Sequence, residues 1–136
     1  MTIWEMRSVT EKGPKRVARL NETAFAVRCV DGKDGAALRS AHLEGHLAHV
    51  ERHHDRFLVA GPMRRDGAAE LVGSLFILAA ESEDDARAVM SGDPYVAHGV
   101  YAEIIYRRLT PAAGRWMGGV IWENADSLRN VADGGR

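Results

Sequence analysis

The sequence predicts an α+β domain with an antiparallel sheet and the element order β-α-β-β-α-β. Three observations predict it. Phe25, Val27 and Cys29 alternate with Ala24, Ala26 and Arg28 along Thr23 to Val30, the period of a strand. Ala36, Leu43, Leu47 and Val50 recur at helical steps between Asp34 and His53, forming one apolar stripe. Leu71 to Ala80 (LVGSLFILAA) is a long apolar strand, and Ser82-Glu83-Asp84-Asp85 follows it with helix-start chemistry. The hydroxyl caps free amides, and the acids sit near the positive helix end.

Taken in order, Met1 to Glu22 reads as a flexible or loosely docked arm, with Trp4 and Met6 as anchors. Asp31-Gly32 ends the first strand and Asp34-Gly35 starts the first helix. Phe57 to Ala60 is a short strand stopped by Gly61-Pro62, and Arg64 to Gly67 is a polar turn. The second helix runs from Ser82 to about Met90 and ends near Gly92-Asp93-Pro94. Val100 to Leu109 closes the core, giving an arm at 1–22, a domain at 23–109 and a Gly-rich tail at 110–136 with Trp116 and Trp122. Leu71 to Ala80 has only Ser74 as a polar side chain, and the first strand carries Ala24, Ala26 and Val30 opposite Phe25, Val27 and Cys29. Strands apolar on both sides are buried on both sides, and two helices cover one face. A homodimer is expected to cover the other; the rival cover is the Trp-bearing tail.

Length and composition narrow the class. At 136 residues, 46% apolar and 27% charged, the chain has the profile of one soluble domain. Eighteen Lys/Arg against nineteen Asp/Glu leave a charge of −1, so bulk electrostatics call for no nucleic acid and no acidic membrane as partner. No apolar run approaches the roughly 20 residues of a membrane helix. The start does not read as a secretory signal, and the single Cys29 is ordinary for a reducing compartment, so the expected location is cytoplasmic.

Ordered motifs add a resemblance. His46-Leu47-Ala48-His49-Val50 precedes Leu58-Val59-Ala60-Gly61-Pro62-Met63, then Gly73-Ser74-Leu75-Phe76-Ile77, then Asp93-Pro94-Tyr95-Val96 with Gly99-Val100-Tyr101. The set resembles the YciI-like (YCII-related) family over roughly Thr23 to Leu109, with His42 and His98 as departures from its pattern. The resemblance implies a ferredoxin-like fold of the dimeric α+β barrel type and a pocket holding a His–Asp pair, which maps onto His46 and Asp93. The activity it brings is a dehydrochlorinase-type lyase step on chlorinated hydroxyquinols.

The pairing has a direct physical rationale. An imidazole takes or gives a proton near neutrality, and a carboxylate on its far nitrogen fixes the tautomer. Such a pair suits proton abstraction beside a carbonyl, followed by elimination or isomerisation, with no covalent nucleophile. The plainer reading is a half-buried helix histidine and an Asp93 that caps before Pro94. Arg39 shares the helical side of His46 and is a candidate for a substrate carboxylate; Ser74 and Tyr101 are candidate substrate-binding hydroxyls. Each has ordinary packing or a surface ion pair as its alternative.

His42, His46, His49 and His53 fall within roughly 60° of arc at about 100° per residue. Pairs at such spacing chelate divalent ions, but no fixed acidic or thiol partner accompanies them, so no metal site is assigned. Cys29 reads as buried packing and the Lys12/Lys15/Arg16/Arg19 run as a solvated arm. The late glycines lack the Lys and the strand–helix context of a phosphate loop, and no cofactor is implied. Two function classes remain: a lyase- or isomerase-like small-molecule enzyme, and a non-catalytic ligand-holding or accessory module.

Overall fold

A computed structural model describes residues 13–133; Trp4, Met6 and Lys12 lie outside the described residues. The elements of the central unit are β1 (Ala24–Asp31), α1 (Gly35–Ala41), α2 (Leu43–Arg52), β2 (Phe57–Arg64), β3 (Leu71–Ala79), α3 (Glu83–Ser91), α4 (Pro94–Ala97) and β4 (Tyr101–Leu109). The four strands form one sheet in the order β2-β3-β1-β4 with every pair antiparallel, the ferredoxin-like arrangement that the sequence predicts.

Register sorts the side chains. Val27 stands opposite Phe76 on one side and Tyr106 on the other, while Phe25 faces Leu78. These residues, with Ala86, Val89 and Met90 from α3, form the buried core. Burying Leu78, Val27 or Met90 contributes on the order of 1.5–3 kcal/mol each. The alternate residues of the same strands, among them Ala26, Val30, Leu75, Ile77 and Ile105, are only half-buried.

Four local features differ from the sequence reading. The long first helix is broken at His42 (φ −114°, ψ 17°), where the Tyr95 hydroxyl donates to the Arg39 carbonyl at 3.1 Å. That carbonyl is the one a continuous helix offers to the Leu43 amide, and a side chain inserted into the ladder breaks or bends a helix. The apolar stripe faces outward: Leu43 and Leu47 are 46% and 49% exposed, whereas Arg39 and His49 are buried. Strand β2 continues through Gly61-Pro62 to Arg64, because it lies at the sheet edge, where proline's missing N–H is tolerated. Between α3 and β4 an extra turn of helix, α4, is capped by the Asp93 carboxylate, which accepts from the Tyr95 amide. As predicted, α3 opens on Ser82, whose hydroxyl accepts from the Asp85 amide.

The flanking segments form a second compact unit. It holds β5 (Ala113–Gly114), β6 (Gly119–Val120) and α5 (Ala125–Asp133), so the tail carries regular structure that the sequence reading leaves out. In this unit the Val17 amide donates to the Val120 carbonyl at 2.8 Å, and the Val120 amide to the Lys15 carbonyl at 2.9 Å.

Gly73 in β3 lies so close to β1 that an added Cβ would run into the Cys29 carbonyl oxygen. Backbone cannot yield as a side chain does, so Gly73→Ala is expected to cost about 1–3 kcal/mol, in the range of other overpacking changes. Urea denaturation measures it; unchanged stability would contradict the close approach.

Candidate active site

Six elements bring their polar residues together on the helix-covered face of the sheet. Asp31 shares strand parity with Val27 and Cys29 and so points toward the core. A register shift between Val30 and Asp31 sets Asp31 opposite Tyr101 rather than Ala102. A bulge of this kind re-aims a side chain: Tyr101 turns inward and is buried, while Ala102 is exposed.

Arg39 of α1 meets this cluster. Its Nε and Nη2 donate to the two Asp31 carboxylate oxygens at 2.8 and 2.9 Å, and Nη2 also donates to the Gly73 carbonyl and the Ser74 Oγ, both at 2.9 Å. The guanidinium carbon lies 5.4 Å from the Tyr95 ring centre and 5.7 Å from that of Tyr101. Hydrogen bonding to Asp31 raises the proton affinity of Arg39 further, so its charge is fixed. Burial holds the Tyr95 and Tyr101 phenols above their ordinary range, keeping both as O–H donors. The Tyr101 hydroxyl donates to Ser74 Oγ at 3.0 Å. Ser74 Oγ thus accepts from Arg39 and from Tyr101. Whichever hydroxyl donates to the other, one O–H of that pair has no acceptor among the described residues.

The second cluster centres on Asp93, which is 1% exposed. His46 Nδ1 lies 2.9 Å from both of its carboxylate oxygens, and the Tyr95 amide donates to Oδ1 at 2.9 Å. A carboxylate only accepts, so Nδ1 carries the proton and the neutral ring keeps its lone pair on Nε2. The His46 side chain is 15% exposed, so it stands at the margin of the core. Tyr95 stacks flat on it, with ring centres 3.9 Å apart and planes 1° from parallel.

The structure therefore brings His46 to Asp93, and Arg39 to Ser74 and Tyr101. Tyr95 touches both groups, through its ring at His46 and its hydroxyl at the Arg39 carbonyl. Asp31 and Tyr95 are the members that sequence reasoning missed. For Tyr95 the signal was its place directly after Asp93-Pro94; for Asp31 it was strand parity. The histidine stripe does not act as one unit. His42 stacks on His98 at 3.9 Å, so the two departures from the family pattern meet, while His49 packs beside His53 at 4.7 Å. Among the described residues no group of three or more His, Cys, Asp or Glu is placed to hold a metal ion. Burial pushes the Cys29 thiol up to about 12, which leaves it inert. No helix among the described residues is long and apolar enough to cross a membrane.

The YCII-related domain profile matches residues 23–110. The chain belongs to the YCII-related family. Two members, both called Protein YciI, come from Escherichia coli O6:H1 and Shigella flexneri. Each is 37% identical over 87 residues, covering 59% of this chain and 89% of the relative. The structure is similar to that of 5-chloro-2-hydroxyhydroquinone dehydrochlorinase (TftG) from Burkholderia phenoliruptrix AC1100, solved in complex with 2,5-dihydroxybenzoquinone. That match has a TM-score of 0.60 and 26% identity, over 68% of this chain and 96% of the other. The motif resemblance and the α+β fold drawn from it are borne out. The dehydrochlorinase is a lyase, the reaction class that the resemblance implies.

In this YCII-related domain His49 has a pH consequence. It is 4% exposed, and its Nε2 is buried without a partner among the described residues. Burial lowers its proton affinity, against the opposing pull of Asp93. The unfolded chain then binds a proton more readily than the folded one. The contribution to stability is complete above the ordinary imidazole value of about 6.5 and is lost as pH falls below it. Asp85, whose carboxylate is held low by the Glu81 amide and by Arg56, acts only in a more acidic window. Thermal melts of His49→Leu should therefore fall less than those of the wild type between neutral and mildly acidic pH. Equal losses would rule out His49 as the source.

Proposed function

We propose that the protein is a small-molecule enzyme of the lyase or isomerase type, with His46 as the proton-carrying group and Asp93 as its orienting partner. The observation that carries this reading is the 2.9 Å bond from His46 Nδ1 to Asp93, on a ring whose other nitrogen has no partner among the described residues. A bare Nε2 removes a proton from carbon or hydroxyl, and the carboxylate stabilises the imidazolium that forms. Arg39, neutralised by Asp31, holds the Ser74 hydroxyl in place through Nη2. The unspent O–H of Ser74 and Tyr101 supplies a donor for a substrate oxygen that gains negative charge.

The dehydrochlorinase likeness gives the reaction its direction. Loss of HCl sends a proton to the imidazole while chloride leaves with the bonding electron pair. The remaining electrons close a conjugated carbonyl system, so the step is redox-neutral and needs no added oxidant. An acceptor-rich planar substrate of hydroxyquinol type suits donors that lack acceptors.

Chloride release from 5-chloro-2-hydroxyhydroquinone, followed with an ion electrode, is the direct assay. His46→Ala should lower the rate by about 10²–10⁴-fold, the usual contribution of a positioned acid–base group. Undiminished turnover in His46→Ala would remove the role assigned to it. Binding of 2,5-dihydroxybenzoquinone by a wild type that releases no chloride would move the reading to a ligand-holding module.

The same reading includes a homodimer in the cytoplasm. Its support is the half-buried apolar second face of the sheet, together with Leu43 and Leu47 exposed on α2. Sedimentation velocity should give twice the 14.9 kDa chain mass; a monomer at micromolar concentration would refute it.

A further inference from the structure

We propose that Tyr95 is the positioning residue of the His46–Asp93 pair, setting the imidazole plane and its tautomer while tying the pair to the Arg39 cluster. Three separate parts of the one residue carry this. Its backbone amide donates to Asp93 Oδ1 at 2.9 Å, and the same oxygen lies 2.9 Å from His46 Nδ1. Its ring lies 3.9 Å from the imidazole at 1°, covering one face. Its hydroxyl donates to the Arg39 carbonyl at 3.1 Å, at the junction where α1 gives way to α2.

The geometry is specific. A carboxylate selects the Nδ1-protonated form only while the ring is held in the plane that aims Nδ1 at it, and by itself it leaves the ring free to turn away. A flat surface at van der Waals distance removes that freedom. The close approach of α2 and α4 makes the stack feasible: a Cβ on Gly45 would come 2.9 Å from Pro94 Cγ, so glycine is what lets the helices approach this far. Tyr95 is 3% exposed, so it is itself held rigidly. Its hydroxyl spends its proton on Arg39, which leaves it no direct acid role. It acts through His46.

The functional meaning rests on the reading of His46 as the proton carrier, but the test does not depend on turnover. Long-range proton–nitrogen NMR of the full chain at mildly alkaline pH reads the imidazole tautomer. The wild type should show His46 in a single form with Nδ1 protonated, and its ring protons should be shifted upfield by the stacked ring. Tyr95→Phe keeps ring and amide and should retain both signatures. Tyr95→Leu, with its fold checked by circular dichroism, should lose the upfield shift and show mixed tautomers. His46 ring protons at ordinary positions in the wild type, or an unchanged single tautomer in a folded Tyr95→Leu, would overturn the proposal. An intact tautomer signature in a protein that turns nothing over would sink the enzymatic reading instead and leave the positioning role standing.

Discussion

A carboxylate that is 1% exposed dictates how this domain is assembled. An unpaired buried charge costs several kcal/mol, so Asp93 has to be met by donors. It is met twice, by the amide of Tyr95, the second residue of α4, and by His46 from α2. The first contact caps a helix too short to persist alone. The second requires α2 to present its histidine side to the protein. Once that side faces in, Leu43 and Leu47 face out, so two leucines stand on the outer surface of the helix. One polar contact thus decides both where the imidazole sits and which side chains of α2 are exposed.

A second buried charge is handled differently. Arg39 and Asp31 neutralise each other in a two-point bond, and Nη2 also donates to Gly73 and Ser74. Buried ion pairs of this kind contribute little net stability, since desolvation offsets their attraction, yet removing one partner is strongly destabilising. Their effect is geometric. The bond fixes α1 to β1 and β3, and the bulge at Asp31 supplies Tyr101 from β4 to the same place. The helix layer is therefore locked to three adjacent strands by polar contacts lying under it.

Much of this was legible in the sequence, and the limits have a physical form. Strand alternation and the Ser82 cap gave the element order, because those signals are local. Gly61-Pro62 misled at β2, since a proline reads as a stop unless the strand is known to lie at an edge. The first helix carries two stripes centred about 100° apart, one of leucines and one of histidines with Arg39. Period alone favours the leucines as the inward face. Which stripe is buried depends on whether the polar one finds partners, and those partners, Asp31, Ser74 and Asp93, come from 8 to 47 residues away. His46 with Asp93 emerged through the ordered motifs. Tyr95 did not, because a tyrosine after Asp-Pro has no mark of its own until the imidazole is seen lying on it.

The composition of the buried layer bears on what the domain is for. A fold selected only to persist would fill the space between α1, α2 and the sheet with aliphatic side chains, which bring burial energy without desolvation cost. Here that space holds a guanidinium, two carboxylates, an imidazole, two phenols and a hydroxyl. Most of their hydrogen-bonding capacity is matched internally, so the arrangement is neither an error of packing nor a loose polar cavity. Among the described residues, what is left unmatched is the Nε2 acceptor of His46, the Nη1 N–H pair of Arg39 and one O–H donor shared by Ser74 and Tyr101, together with the buried Nε2 of His49 on α2. An acceptor on one side chain and a donor on another, within a largely satisfied network, are what proton removal at one atom and charge stabilisation at another require. Sites that break the apolar rule in this way are where function is expected to reside. The pattern of unmatched atoms, more than the fold, supports chemistry over scaffolding in this domain.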